Sequence, residues 1–249
     1  MAIIIFFVAH WYLSLFTQSF FHHRYAAHRM FTMSKATEKV FFVLSWLFQG
    51  SSYLSPHTYG AMHRMHHAYA DTENDVHSPK YDKNLFTMMW RTKQTYVDIF
   101  WGKQKVDAKF LKDLPTWRKF DLFGERYFSR LLWVGIYVAF WALFATAWWQ
   151  WLLLPVSVVM GPVHGAIINW FAHKYGYRNF KNKDTSKNLF PVELLMWGEG
   201  LHNNHHKFGG RANFGVKWWE IDPMYPLIWT LDRMKVIQLR RRRSQELAF

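Results

Sequence analysis

The apolar and charged residues of this chain occupy separate stretches of sequence. Residues 1–21 and 131–173 contain no Asp, Glu, Lys or Arg, and every Lys and Arg falls within 24–130 or 174–243. A soluble protein mixes charged and apolar residues along its helices and strands. Long charge-free stretches between basic blocks are typical of a membrane protein.

The charge-free stretches predict about three transmembrane helices. A span needs about 20 apolar residues, so residues 1–21 predict one span, and the second stretch predicts two, at about 131–150 and 153–172. The segment 148–155, rich in Trp and containing a Pro, predicts a turn between these two spans at the membrane interface.

The basic blocks, 22–130 and 173–249, are expected on the cytoplasmic side of the membrane. The apolar run Val40–Gln49 is too short to span and predicts a helix at the interface, which leaves all histidine clusters on one side. The tail, 218–243, predicts a short amphipathic helix ending in headgroup-binding arginines. Residues 1–249 therefore predict one domain of all-α class: an integral membrane bundle capped by a cytosolic helical domain.

Composition narrows the possible functions. The net charge of +14 permits nucleic-acid binding, but such a protein has no use for membrane-spanning stretches, so no nucleic-acid partner is expected. The chain has no Cys, which excludes disulfides, thiolate haem, Cys-ligated iron–sulfur clusters and Cys nucleophiles. Any redox chemistry then needs a metal on His or carboxylate ligands, with electrons supplied from outside the chain.

Histidines recur at a spacing that suits a metal site. The pattern His-x-x-His-His occurs twice, at His63, His66 and His67 and at His202, His205 and His206. On a helix, positions i, i+3 and i+4 share one face, so each triplet can present its imidazoles together.

Two further pairs accompany these triplets. His23 and His28 are five residues apart, about 140° on an ideal α-helix, so they can share a metal only if the helix ends or distorts between them; otherwise each serves a different ion. Asn169 and His173, at i and i+4, face one way from the end of a predicted span. His10, inside the first span, is expected to be a packing contact.

Carboxylates near the histidines are candidates to orient the imidazole rings. Asp71 and Asp75 follow the first triplet, and such groups commonly accept a hydrogen bond from the second ring nitrogen of a metal ligand. A solvated acidic loop is the alternative for this segment. Glu199 forms a single Glu-x-x-His with His202, whereas ferritin-like di-iron proteins need two such motifs.

The number of candidate ligands implies two metal ions, because one ion takes about four to six ligands. Imidazole suits Zn, Cu, Fe and Ni, so ligand type alone does not choose the metal. The membrane setting favours oxygen activated at a redox metal, since a lipid chain offers many C–H bonds and few hydrolysable ones. The candidate histidines are His23, His28, His63, His66, His67, His173, His202, His205 and His206.

These four motifs together resemble the membrane fatty-acyl desaturases, specifically the stearoyl-CoA (delta-9) group. The resemblance rests on His-x4-His at residues 23–28, His-Arg-x-His-His at 63–67, Asn-x3-His within NWFAHKYGYR, and GEGLHNNHH at 198–206. It runs in order and in spacing from about residue 18 to 235. The group usually has four spans, whereas this sequence predicts three.

The resemblance implies the chemistry and the partners. The nine histidines would ligate two irons, and Asn169 would contact one iron through water. Asp71, Asp75 and Glu199 would contact the ligating histidines and not the irons. With O2 as co-substrate, the enzyme would introduce a cis double bond into the fatty-acyl chain of an acyl-CoA or acyl lipid. A separate cytochrome b5 or ferredoxin type protein would donate electrons. The active site would face the cytoplasm, at a bacterial inner membrane rather than the endoplasmic reticulum.

Three rival functions remain open from the sequence. A lipid or carotenoid hydroxylase or ketolase shares histidine boxes of similar form, although the GEG-x-HN-x-HH context favours desaturation. A zinc hydrolase would bind two zinc ions and no iron. A non-enzymatic membrane metal-binding protein would line a pore with histidines, whereas here they cluster outside the predicted spans.

Overall fold

The computed structural model describes residues 1–240, and these residues are mostly helical, as expected. The α-helices are α1 (Ala2–Thr17), α2 (Lys35–Gln49), α3 (Pro56–Tyr69), α4 (Leu85–Phe100), α5 (Ala108–Leu111), α6 (Arg118–Glu125), α7 (Tyr127–Phe144), α8 (Leu153–Val158), α9 (Met160–Ala166), α10 (Ala172–Lys174), α11 (His202–Lys207) and α12 (Met224–Arg233). Two π-helical segments, Gln18–Ala27 and Ile167–Phe171, and two 3₁₀ segments, Gly50–Ser52 and Trp148–Leu152, adjoin these helices. An antiparallel ribbon pairs β1 (Phe31–Met33) with β2 (Ile237–Leu239).

Two helical stretches are long and apolar enough to cross a membrane. The first is Ala2–Ala27, in which α1 runs on into the first π-helical segment, and the second is α7. Helix α7 begins before the expected residue 131 and ends at Phe144, six residues before the expected residue 150. The early end follows from Gln150, whose buried side-chain carbonyl accepts the backbone N–H of Thr146 at 2.7 Å and shapes the turn.

The third expected span, 153–172, is not one straight helix. Its two parts, Trp148–Val158 and Met160–Lys174, meet at an angle of 75°. Pro162 has no backbone N–H to offer to the carbonyl of Val158, and a proline ring clashes with a carbonyl in that position. The freed carbonyl instead accepts the hydroxyls of Ser51 at 2.7 Å and Ser52 at 3.1 Å, which satisfies it inside the bundle.

The apolar run Val40–Gln49 lies in a helix that is longer than the run itself. Helix α2 starts at Lys35 because the Ser34 hydroxyl caps it, accepting the backbone N–H of Thr37 at 3.1 Å. One face of α2 packs on α1 and leaves Val40, Val43 and Leu47 exposed on the other. This amphipathic arrangement suits a helix lying against lipid.

The tail does not form the single amphipathic helix expected over 218–243. Helix α12 ends at Arg233, and Lys235 adopts a positive φ of 61° that turns the chain back. Strand β2 then pairs with β1, and the Asp232 carboxylate accepts the backbone N–H of Leu239 at 2.8 Å. Of the arginines expected at 240–243, Arg240 donates its backbone N–H to the carbonyl of Met30 at 2.9 Å, and the other three lie outside the described residues.

Aromatic residues fill the core that joins the spans to the remaining helices. Phe20 and Phe21 of the first π-helical segment pack on Phe41 and Phe42 of α2 and on Phe31 of β1, all of them buried. Burying a Phe side chain contributes roughly 1.5–3 kcal/mol. This core therefore holds the π-helical segment rigidly in the position from which it presents its histidines.

Gly50 directly follows α2 and packs against α7, and it provides a test of this packing. Its φ is +55°, and a Cβ there would overlap the phenol oxygen of Tyr137. We expect Gly50→Ala to lower the free energy of unfolding by at least about 2 kcal/mol, because strain and overpacking add. Thermal unfolding in detergent, followed by Trp fluorescence, measures the change.

Gly135 of α7 is the matched control, because nothing lies within 4 Å of a Cβ added there. Gly135→Ala should be neutral or stabilising, since Ala favours a helix over Gly by about 1 kcal/mol. Equal unfolding temperatures for the two variants would contradict the described contact.

Candidate metal centre

Five histidines from three segments form a first group. Their candidate ligand atoms all lie within 4.8 Å of one another. The first π-helical segment and the residue after it, α3 and α11 contribute to this group, whose members are His23, His28, His63, His67 and His205.

The π-helical backbone explains how His23 and His28 come together. The backbone N–H of His28 donates to the carbonyl of His23 at 3.1 Å, which is the i to i+5 bond of a π-helix. This widened turn brings onto one side two residues that an α-helix would separate by about 140°. The distortion that the sequence required for a shared site is therefore present.

Four other histidines form a second group beside the first. Their candidate ligand atoms also lie within 4.8 Å of one another, and the group comprises His66, His173, His202 and His206. Successive residues of a helix point about 100° apart, so His66 and His67 on α3 face different groups. Helix α11 divides its histidines in the same way, so each His-x-x-His-His triplet supplies both groups and, contrary to what its spacing suggested, does not present its three imidazoles together.

Buried carboxylates hold the second ring nitrogen of three of these histidines. Glu199 pairs with His23, Asp75 with His66 at 2.8 Å, and Asp71 with His173 at 3.3 Å. Asp71 and Asp75 are 6% and 1% exposed, which rules out a solvated acidic loop at these positions. Glu73, between them, is exposed.

The sequence pattern did not indicate one further carboxylate at the histidine groups. Asp184 lies 3.0 Å from Nδ1 of His206 and fills the same role in the second group. It stands in a polar loop among lysines and asparagines, where nothing in the local pattern separates it from a solvated aspartate. Only the tertiary fold brings it to α11.

A buried ionic network joins the first histidine box, residues 23–28, to the third, residues 198–206. Arg24 is fully buried and donates to Glu199 at 2.8 Å and to Asp222 at 2.8 Å, with its guanidinium 4.0 Å from the ring of Phe214. Ser19 also donates to Glu199, at 2.5 Å. Removing one partner of a buried ion pair leaves an uncompensated charge, so this network is a rigid unit.

Burial keeps six of the nine imidazoles neutral. It lowers the pKa of His28, His63, His67, His202 and His205 well below the ordinary value, and neighbouring histidines lower it further. The same causes lower the pKa of His206. Neutral imidazole is the form that binds a metal, so these rings are ready to act as ligands.

The carboxylates remain ionised despite their burial. Burial raises the pKa of Asp71, but its hydrogen bond to His173, together with those from Ser78 and Thr185, outweighs this effect and leaves the pKa lowered. For Glu199, burial likewise opposes the charges of His23 and Arg24, and the net effect lowers its pKa. An ionised carboxylate accepts Nδ1–H and thereby directs the Nε2 lone pair into the group.

The spacing of the ring nitrogens fits metal ligation. Nε2 of His205 lies 3.0 Å from Nε2 of His23 and 3.0 Å from that of His67, and the pair His28–His63 is 2.9 Å apart. A metal–nitrogen bond of about 2.1 Å sets neighbouring ligands about 3 Å apart. The all-nitrogen donor sets of five and four residues therefore suit two transition-metal ions.

Other candidate residues lie outside these groups. Asn169 is half-buried in the second π-helical segment, four residues before His173, and within the described residues its side chain is not hydrogen-bonded to the nine histidines. His10 is buried in α1, where its Nε2 lies 3.2 Å from the Tyr137 hydroxyl, as a packing contact would. His22 bonds the backbone carbonyl of Leu54 at 2.8 Å.

A cleft gives access to both groups from outside. It has a volume of about 470 Å³ and is lined by His28 and His67 of the first group, His206 of the second, and Arg64 and Lys207 at its basic edge. Small molecules and electrons can therefore approach the imidazole edges from this side.

We expect Asp184→Asn to weaken metal binding at the second group. Loss of the charge behind His206 should lower metal affinity by about 10–100-fold, as is usual for such partners. Chelator titration of purified protein, with iron and zinc counted by elemental analysis, measures the change. Glu73→Gln is the matched control, because that exposed side chain lies near the site in sequence but outside it in space. The same metal loss in both variants would contradict the role of Asp184.

Comparison with known proteins supplies the family. A sequence model of the fatty acid desaturase family matches residues 1–242. A hex-5-enoyl-[acyl-carrier protein] acetylenase of Moorena producens is 28% identical over 249 residues, covering 91% of this chain and 73% of that protein.

Two further relatives are desaturases by name. An sn-1 stearoyl-lipid 9-desaturase of Synechocystis sp. is 31% identical over 209 residues, covering 80% of this chain and 59% of that protein. Delta-9 acyl-lipid desaturase 2 of Arabidopsis thaliana is 28% identical over 202 residues, covering 81% of this chain and 62% of that protein. The chain thus spans about three fifths to three quarters of the length of these relatives. Since the family model covers nearly all of its residues, this chain belongs to the fatty acid desaturase family.

Proposed function

We propose that this chain is a membrane desaturase that uses two irons and O2 to introduce a cis double bond into a fatty-acyl chain. The observation that carries the proposal is the pairing of two buried histidine groups, of five and four members, at the ends of apolar helices in a member of this family. Iron held by these groups would supply the oxidation of unactivated C–H bonds by O2. The nine histidines are the proposed ligands, and Asn169 would reach one iron through a water molecule.

The chain itself supplies the orientation of the ligands. Glu199, Asp75, Asp71 and Asp184 each hold one ring nitrogen, so the opposite nitrogen of each of those imidazoles points into its group. Arg24 neutralises Glu199 and Asp222 and keeps the first and third boxes in register. These residues act by positioning, which requires no movement during the reaction.

The electron stoichiometry of the reaction requires an external electron donor. Desaturation removes one hydrogen from each of two adjacent carbons, while O2 takes up these hydrogens with two electrons and two protons to form two waters. The chain has no Cys, so it has no thiol pair to supply electrons. A separate donor of cytochrome b5 or ferredoxin type is therefore proposed, and the basic cleft that exposes His28, His67 and His206 is the side from which electrons can enter.

The proposed substrate is a fatty-acyl chain drawn from the membrane. The named relatives act on acyl groups carried by acyl-carrier protein or by lipid. The basic residues around the histidine groups suit the phosphates of such carriers and also favour the cytoplasmic side of a membrane. We place the active site on that side, at a bacterial inner membrane.

The rival functions have distinct signatures. A hydroxylase or ketolase would leave oxygen on the acyl chain, and a zinc hydrolase would bind zinc and no iron. A metal-transport protein would line a path through the bilayer with its histidines. Here the two groups draw on α3 and α11 as well as on the span ends, which makes a site at one end of the bundle.

Expression in a host that lacks its own desaturase tests the reaction. With an electron donor supplied, we expect new acyl chains lighter than their saturated parents by two hydrogens, detected by mass spectrometry and located by derivatisation. Chains heavier by one oxygen would instead establish a hydroxylase. No new product, from iron-loaded protein supplied with a working donor, would overturn the enzyme assignment.

His205→Ala tests whether activity depends on the histidine groups themselves. His205 lies within 3.0 Å of two other imidazoles, so its loss should reduce product formation to background and lower the iron content. His57→Ala is the control, because His57 begins the same helix as His63 but lies outside both groups. We expect that control to keep most of its activity and iron. Full activity in His205→Ala would refute the site.

A further inference from the structure

A patch of apolar side chains is exposed in the part of the chain that follows the spans. It is formed by Phe190, Val192, Leu194 and Leu195 on one segment and Trp218, Trp219 and Ile221 on another, each between 44% and 89% exposed. The two segments lie side by side, since the backbone N–H of Ile221 donates to the carbonyl of Pro191 at 2.8 Å. We refer to these residues as the loop patch.

The loop patch carries no exposed acidic residue on its first segment. Glu193 is the one charged residue between 188 and 197, and it is turned inward, where its carboxylate accepts the backbone N–H of Gly200 at 2.6 Å. Trp218 is 89% exposed and Leu194 is 60% exposed. Contiguous exposed apolar residues of this size mark a protein or membrane contact.

Contacts with α1 place the loop patch at the level where the exposed surface of α1 ends. The exposed residues of α1 include Ile5, Val8 and Leu13, and from Ser14 to Ala27 no residue is exposed. Lipid therefore reaches α1 only as far as about Leu13. Near this level the indole N–H of Trp11 donates to the carbonyl of Leu195 at 3.0 Å, beside the patch.

We propose that the loop patch is seated in the bilayer interface next to α1, as a membrane contact formed by loops. The occupant is lipid because the patch is continuous with the lipid-facing surface of α1 and lies where that surface ends. Exposed Trp side chains beside the exposed Lys217 also suit the headgroup level, where aromatic rings and cations are enriched. Part of the region expected to be wholly cytosolic, 173–249, thus lies against the membrane.

This contact has a consequence for the histidine groups. The first segment of the loop patch leads through Trp197 into Gly198 and Glu199, the residue that binds His23. The rings of Tyr12 and Trp197 are 6.0 Å apart, so this connection also rests on α1. Lipid on the outer side of the segment would hold the start of the third histidine box at a fixed depth.

Spin labelling tests the proposal directly, because a chain without Cys accepts single labels cleanly. Leu194→Cys and Trp218→Cys are labelled in the full chain, in nanodiscs of phosphatidylcholine and phosphatidylglycerol. Collision rates are measured with O2, which concentrates in lipid, and with a water-soluble nickel chelate. Ile5→Cys is the lipid-facing reference, and Lys183→Cys, exposed in the same half of the chain, is the aqueous reference.

We expect the labels at 194 and 218 to follow Ile5→Cys, with O2 collisions several-fold more frequent relative to nickel than at Lys183→Cys. Labels that follow Lys183→Cys would overturn the proposal, since they would be in water. Labels shielded from both reagents would also overturn it, because protein would then cover the patch. The measurement reads position alone and is independent of the proposed reaction.

Discussion

The structure depends on holding nine imidazoles at close range with ring nitrogens pointing inward, six of them kept neutral by burial. Nitrogens 2.9–3.1 Å apart repel one another when their lone pairs converge, so this arrangement is unfavourable unless cations lie between them. Burial makes protonation unfavourable and lowers the pKa of rings such as His63 and His205. Metal ions bound by the two groups, as proposed above, would offset this repulsion and would couple metal binding to folding.

Positioning of the rings falls to groups that are themselves buried and charged. Asp75 is 1% exposed and Asp222 is 4% exposed, and each needs a partner because an isolated buried carboxylate is very unfavourable. Asp75 is paired with His66, and Asp222 is paired with Arg24. Each ion pair thus offsets the free-energy cost of burying its own charges, and it also fixes the orientation of a neighbouring histidine. This explains why a fully buried arginine lies inside an otherwise aromatic core.

The sequence was sufficient for the features that depend on local spacing. Charge-free stretches indicated the apolar helices, and the i, i+4 spacing indicated that His63 and His67 share a face, as do His202 and His206. The expectation that each whole triplet presents its imidazoles together was wrong, because the middle histidine of each triplet faces the other group. The sequence was not sufficient where a tertiary contact decides the outcome. The bend before Met160 depends on the hydroxyls of Ser51 and Ser52, which donate hydrogen bonds to the carbonyl of Val158. The pairing of β1 with β2 joins residues about two hundred positions apart. Asp184 acts on His206 only because the fold brings its loop to α11.

Helical geometry also explains why two histidine groups form side by side. Neighbouring residues on a helix diverge by about 100°, so His66 and His67 cannot face one point and must serve two. Helix α11 repeats this division with His205 and His206. Because the same two short helices contribute to both groups, neither group can move without the other. The separation between the two sites is therefore set by the width of a helical turn and held by the rigidity of α3 and α11.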